Sequence, residues 1–128
     1  MFYIAPKNNM AEHLETGKLG EDKAAAHLIE KGYEIVARNY RFKHGEIDMI
    51  AKKGKLLIFV EVKTRTNLSY GFPEEFVDAT KRGLIMKTAE HYIFDTDWHF
   101  DIRFDIVSVI INNNSNNVRI KHIEDAFC

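Results

Sequence analysis

Asp48, Glu61 and Lys63 stand where two strands would ordinarily bury apolar side chains. The stretch Gly45–Arg65 reads G-E-I-D-M-I-A-K-K-G-K-L-L-I-F-V-E-V-K-T-R, two strands joined by a tight turn. Leu56–Val62 is an almost unbroken hydrophobic run, the pattern of a strand buried on both faces. A carboxylate and an ammonium two residues apart at the end of such a strand are costly unless paired or metal-bound. Two carboxylates a few ångströms apart repel each other unless a cation lies between them. A hard divalent ion such as Mg²⁺ or Mn²⁺ suits that place, completing its octahedron with waters and phosphate oxygens. Such an ion activates a water and stabilises the leaving oxygen of a phosphodiester. Lys63 would then add positive charge near the attacked phosphate or orient the water. The plain alternative is that Glu-x-Lys on a strand is a solvent-facing salt bridge.

The elements that position these groups follow from spacing. Side chains alternate along a strand, so Glu61 and Lys63 share a face, as do Glu46, Asp48 and Ile50. Lys52-Lys53-Gly54-Lys55 allows a two-residue turn at Lys53-Gly54 or at Gly54-Lys55. The second sets Asp48 opposite Glu61; the first sets it opposite Phe59, one diagonal step from Glu61. Both leave Asp48, Glu61 and Lys63 on one face, whereas a slip of one residue would not.

Around this hairpin the chain reads as one domain over residues 1–128, with no repeats and no long linker. Met1 to Asn9 reads as a loose arm. A helix runs from about Met10, capped by Asn9, to Lys31, and Gly32 closes it. Tyr33 to Phe42 reads as a strand, and Thr66 to Phe72 as a mobile loop beside the site. Pro73 suits the first turn of a second helix ending near Phe94, with Glu74 and Glu75 at its positive end. Phe100–Ile111 and Val118–Ile123 read as strands around an Asn112–Asn117 turn. The order αβββαββ predicts an α/β fold, a mixed sheet with helices packed against it.

Several blocks of the sequence resemble the uncharacterised YraN family, within the PD-(D/E)xK superfamily of restriction-endonuclease-like folds. They are Gly17-Lys18-Leu19-Gly20-Glu21, Arg38-Asn39-Tyr40-Arg41, Gly45-Glu46-Ile47-Asp48, Phe59-Val60-Glu61-Val62-Lys63, Arg103-Phe104-Asp105 and His122-Ile123-Glu124-Asp125-Ala126-Phe127. They cover nearly the whole chain in order. One departure from the superfamily pattern is Ile47, where proline often precedes the aspartate. The resemblance implies a metal-dependent nuclease site: Asp48 and Glu61 as metal ligands, Lys63 as the catalytic lysine, and Glu21 on the first helix as a further ligand. By spacing alone, Glu21 lies with Gly17, Ala24, Ala25 and Leu28 on the inward face. There it could equally form a salt bridge with Lys18 or Arg38.

The chain has 128 residues, 45% of them hydrophobic, one cysteine (Cys128) and a net charge of −1. This composition suits a globular domain with a real core in a reducing cytoplasm, without signal peptide or membrane span. The charge is unevenly spread. Lys31 to Arg65 carries nine Lys or Arg against four acids, a local +5, and the remainder nine against fifteen, or −6. Arg38, Arg41, Lys43, Lys52, Lys53, Lys55 and Arg65 could flank a phosphate track of nucleic acid, most plausibly DNA. Tyr40 and Phe42 interleave with them and could stack on unpaired bases. For the three hairpin lysines a merely soluble turn is an equal reading. Lys81 falls on a mostly apolar helical stripe, where snorkelling to the surface is the preferred reading and contact with phosphate at the site the other. Asp105 reads as structural, paired with Arg103 or Arg65. The six histidines show no metal-ligand spacing, and no Ser-His-Asp or Cys-His arrangement is legible.

The expectation is therefore a Mg²⁺- or Mn²⁺-dependent endonuclease, selective for the shape of its DNA, for which a homodimer would suit a two-strand or branched substrate. Its rival is a catalytically silent nucleic-acid-binding or assembly protein on the same fold.

Overall fold

The computed structural model describes residues 10–66, 72–112 and 117–128. The expected N-terminal arm and the middle parts of the 66–72 loop and the 112–117 turn lie outside them. The elements are α1 (Met10–Glu30), β1 (Glu34–Phe42), β2 (Gly45–Lys53), β3 (Leu56–Thr66), α2 (Ala79–Thr96), β4 (Asp101–Asn112) and β5 (Asn117–Ile123), in the order the sequence predicts. Among the described residues no helix is long and apolar enough to cross a membrane.

The five strands form one sheet in sequential order. All neighbours are antiparallel except β3 and β4, a parallel pair that needs a crossover, here supplied by α2. Lys53 pairs with Leu56 and Met49 with Val60, so of the two candidate turns the chain uses Gly54-Lys55. Gly54 takes φ 59, the left-handed region that the first position of such a turn demands and glycine adopts freely.

The continuous hydrophobicity of β3 and β4 is explained by a helix on each face of the sheet. Ala24, Ala25 and Leu28 of α1 pack over Met49, Ala51, Ile58, Val60, Val107 and Val109. Ile85 and Ala89 of α2 pack over Ile50, Leu57, Phe59, Phe104 and Ile106. At Gly20, α1 lies so close to β3 that a Cβ would fall 1.9 Å from Thr64 Oγ1. A side chain there would prise the helix off the strand end that carries Glu61 and Lys63.

Helix α2 begins later than Pro73 predicts. Its N-cap is Asp78, whose carboxylate accepts the Lys81 amide at 2.9 Å, a favoured capping pattern. Residues 72–78 have no regular structure. Two side chains there are drawn onto the sheet: the Glu75 carboxylate bonds Arg65 and Ser108, and Val77 is buried in the core. These contacts outweigh the helical start suggested by Pro73 and the two glutamates. At its far end α2 runs to Thr96, where Asp97 at φ 56 caps it through the carbonyls of Ile93 and Phe94.

Candidate active site

Pairing between β2 and β3 stops at Met49–Val60, and the next pair outward is Asp48 and Glu61. There the Asp48 carboxylate accepts the amide N–H of Val62 at 2.8 Å. Below the site, Leu57 and Phe59 face α2, so Glu61, Lys63 and Arg65 continue that face by alternation. The result is a cleft of about 330 Å³ at the carboxyl end of the parallel strand β3, a position where open α/β sheets commonly bind ligands. Gly17 and Glu21 of α1, Asp48 of β2, Glu61 to Arg65 of β3, and Lys81 of α2 line it.

The electrostatics are crowded. Glu61 is 3% exposed. Its Oε2 accepts a hydrogen bond from Lys81 Nζ and lies 3.8 Å from Lys63 Nζ. Burial, then the neighbouring Glu61 charge, pushes the Asp48 carboxyl up to about 7, although the Val62 amide pulls the other way. Burial opposes charge on Lys81, but its hydrogen bond to Glu61 and the Glu61 and Asp48 charges outweigh it and raise its pKa above the usual lysine value. Lys81 thus combines the two expectations: its side chain stays 44% exposed, as a snorkelling lysine does, while its ammonium bonds Glu61 at the cleft.

Glu21 lines the same cleft, held by Asn39 Nδ2 at 3.3 Å from each carboxylate oxygen and 3.6 Å from Arg38 Nη2. The closer bond of Arg38, 2.8 Å, goes to Asp22. Asn39 was not singled out by sequence. It lies between the pairs Arg38–Met49 and Tyr40–Ile47, opposite Asp48, at φ 52, a conformation asparagine tolerates better than most residues. Glu75 was also missed. Its carboxylate is 2% exposed, receives Arg65 Nη2 at 3.0 Å and Ser108 Oγ at 2.9 Å, and holds Arg65 against the cleft. Glu74-Glu75 in the sequence signals only a helix start, so nothing local marks the second as buried.

Among the described residues no group of three or more His, Cys, Asp or Glu is arranged to hold a metal ion. The donor set is the Asp48–Glu61 pair, with Glu21 further off and tied to Asn39. One or two carboxylates with waters and phosphate oxygens is the usual environment of Mg²⁺, so the residues present fit that ion.

The cations expected along a phosphate track are not gathered in one place. Arg65 lines the cleft and Arg38 adjoins it through Glu21. Arg41 pairs with Glu46 at 3.0 Å on the surface, and Lys43 lies 5.3 Å from the centre of the Phe42 ring. Lys52, Lys53 and Lys55 are at the hairpin tip. Six residues of extended chain carry Lys55 about 20 Å from Glu61. Lys53 bonds the Lys31 carbonyl at 2.9 Å and Lys55 lies over Phe100. The rings expected to stack on bases are occupied. The Tyr40 hydroxyl is 2.7 Å from His91 Nδ1, and Phe42 stacks on His91 with centroids 4.0 Å apart.

Asp105 is structural, as expected, and its partner is Arg103 rather than Arg65. His122 and the Asp125 amide complete its ring of donors, and sequence reasoning anticipated neither.

The family model described as Uncharacterised protein family UPF0102 matches residues 20–109. A UPF0102 protein of Flavobacterium psychrophilum is 42% identical over 118 residues, covering 92% of this chain and 98% of that one. One from Flavobacterium johnsoniae is 44% identical over 122 residues, with coverages of 92% and 98%. One from Dictyoglomus thermophilum is 47% identical over 114 residues, with coverages of 88% and 97%. Residues 20–109 hold α1 from Gly20 onward, the hairpin and the Asp48–Glu61–Lys63 cleft, and by that match and these near-complete alignments the chain belongs to UPF0102, the YraN family.

Proposed function

We propose that this protein is a metal-dependent endonuclease that hydrolyses DNA phosphodiester bonds and selects its substrate by shape. The observation that carries the reading is the meeting of Asp48 and Glu61 where β2 and β3 part, with Lys63, Arg65 and Lys81 around them in one open cleft. Two adjoining carboxylates, one of them pushed up to about 7, are an unfavourable arrangement for the free fold and a favourable one for a divalent cation.

Asp48 and Glu61 would hold Mg²⁺ or Mn²⁺, which when bound supplies water activation and charge stabilisation at the phosphate. The chain's own groups do the rest. Asp48 is oriented by the Val62 amide, which sets the direction of its carboxylate. Lys63, beside Glu61, offers an ammonium where negative charge grows on the phosphoryl oxygens. Arg65, anchored by Glu75, presents its remaining N–H groups to a neighbouring phosphate. Glu21 supports the metal side of the cleft from α1. Isothermal titration of Mg²⁺ or Mn²⁺ into wild type and Asp48→Ala tests the ligand assignment: heat with a binding isotherm only in the wild type is expected, and equal binding by both would sink it.

A catalytically silent DNA-binding protein on the same fold is the second reading, and the net charge of −1 favours it. Cleavage of labelled duplex, single-stranded, flap and four-way-junction DNA, with wild type beside Glu61→Ala, separates the two. The nuclease cuts and the variant does not; retained binding with no cutting by either selects the silent protein.

A further inference from the structure

Phe76 is 74% exposed on a stretch of backbone fastened at both sides. Before it, the Glu75 carboxylate turns inward to Arg65 and Ser108. After it, Val77 is 2% exposed, its carbonyl accepts Arg82 Nη1 at 2.8 Å, and Asp78 caps α2. With both neighbours turned inward, the ring between them is directed out. It is also close to the chemistry: one residue from Glu75, whose partner Arg65 lines the cleft, and five before Lys81, which lines it too.

Single exposed apolar residues are common and need no explanation. Phe94, 88% exposed and followed by Asp95 and Asp97, is such a case. Phe76 differs in two respects. Its backbone is held, so little ordering is left for a ligand to impose. Its chain neighbours each bond an arginine, Glu75 to Arg65 and the Val77 carbonyl to Arg82; the carboxylates of Glu75 and Asp78 are engaged, and Glu74 is exposed nearby. An aromatic face beside cations that track a phosphate backbone is how proteins hold unpaired bases. Tyr40 and Phe42 do not fill that part, being packed on His91.

We infer that Phe76 is a stacking platform for an unpaired base of the strand whose phosphate enters the Asp48–Glu61 cleft, and that the substrate is DNA with unpaired bases beside the cut. This rests on the nuclease reading. In uninterrupted duplex both faces of each base are already stacked, so the ring gains nothing there.

The experiment is an anisotropy titration of flap-bearing DNA and of blunt duplex of equal length, with Ca²⁺ replacing Mg²⁺. The proteins are wild type, Phe76→Ala, Phe76→Trp and, as control, Phe94→Ala. Because the ring is exposed, its removal leaves the fold intact. Phe76→Ala is expected to weaken flap binding about tenfold, within the range for loss of a base–aromatic stack, and to leave duplex binding unchanged. Phe76→Trp restores flap affinity and Phe94→Ala matches wild type. Equal flap binding by wild type and Phe76→Ala, or equal losses on both DNAs, overturns the platform and leaves the nuclease reading standing. Absence of DNA binding by the wild type overturns both.

Discussion

Two aspartates in one sheet, Asp105 buried and Asp48 half-buried, have opposite fates. Burial alone would raise the Asp105 carboxyl, but hydrogen bonds from Arg103, His122 and the Asp125 amide outweigh it and hold the group at about 2. Asp48 has a single amide donor against burial and the Glu61 charge, and is pushed up to about 7. Around Asp105 the network closes on itself: Arg103 also bonds the Tyr33 hydroxyl at 3.0 Å, and Lys31 Nζ is 2.6 Å from His122 Nδ1. Around Asp48 acids gather faster than donors, beside an open cleft. A carboxylate whose partners are complete stabilises a fold. One whose partners are incomplete is stabilised by what it binds.

The sharpest way to break this contrast is Glu61→Ala. Cleavage of flap DNA in Mg²⁺ is expected to fall by about 10³-fold or more, as when a group at the developing charge is lost, with little loss of thermal stability. A variant that cuts at the wild-type rate would end the assignment of Glu61. Asp105→Asn should do the converse. Removing one partner of a buried ion pair costs about 3 kcal/mol, visible in the urea midpoint, while the folded fraction still cleaves. If instead stability held and cleavage vanished, the two regions would have been assigned the wrong way round. Lys63→Gln is next in size: kcat should drop about 10²-fold with Mg²⁺ affinity retained in the titration, and an unchanged kcat would remove Lys63 from the reaction.

The smallest effect separates the two aspartates by pH. The folded pKa of Asp105, about 2, is below its unfolded value of 3.8. Its contribution is therefore complete above the unfolded pKa and lost as pH falls through about 2. For Asp48 the sign reverses. Its folded pKa, about 7, is above 3.8, so the stabilising proton is fully held below the unfolded pKa and released as pH rises through about 7. Without divalent ions, Asp48→Asn should melt above wild type at pH 8 by about 4 °C, roughly 1 kcal/mol for a domain of this size, and the gain should vanish by pH 4. A pH-independent difference in melting temperature would mean that Asp48 is ionised throughout.

The hairpin and the shared face of its ionisable groups were legible because both rest on local rules. Alternation along β2 and β3 put Asp48, Glu61 and Lys63 on one face in either register, and the unbroken apolar run Leu56–Val60 matches burial under two helices. The start of α2 was misplaced because Pro73, Glu74 and Glu75 carry a strong local signal that contacts from β3 and β4 overrule. The hairpin lysines were grouped with the site because they adjoin it in sequence, although extended chain carries them to the far end of the sheet.

The sequence by itself determined the element order, the carboxylates and lysine of the cleft, and the two turns that would keep them together. Each is a matter of spacing along a single strand, helix or turn. Tertiary structure alone decided which turn is used, that Lys81 meets Glu61 across 20 residues, that Ser108 and Glu75 meet across 33, and that Asn39 braces Glu21. It also decided that Tyr40 and Phe42 are spent on His91 while Phe76 is left free. These contacts join residues distant in the chain and depend on which faces of the helices and the sheet meet, which no local spacing encodes.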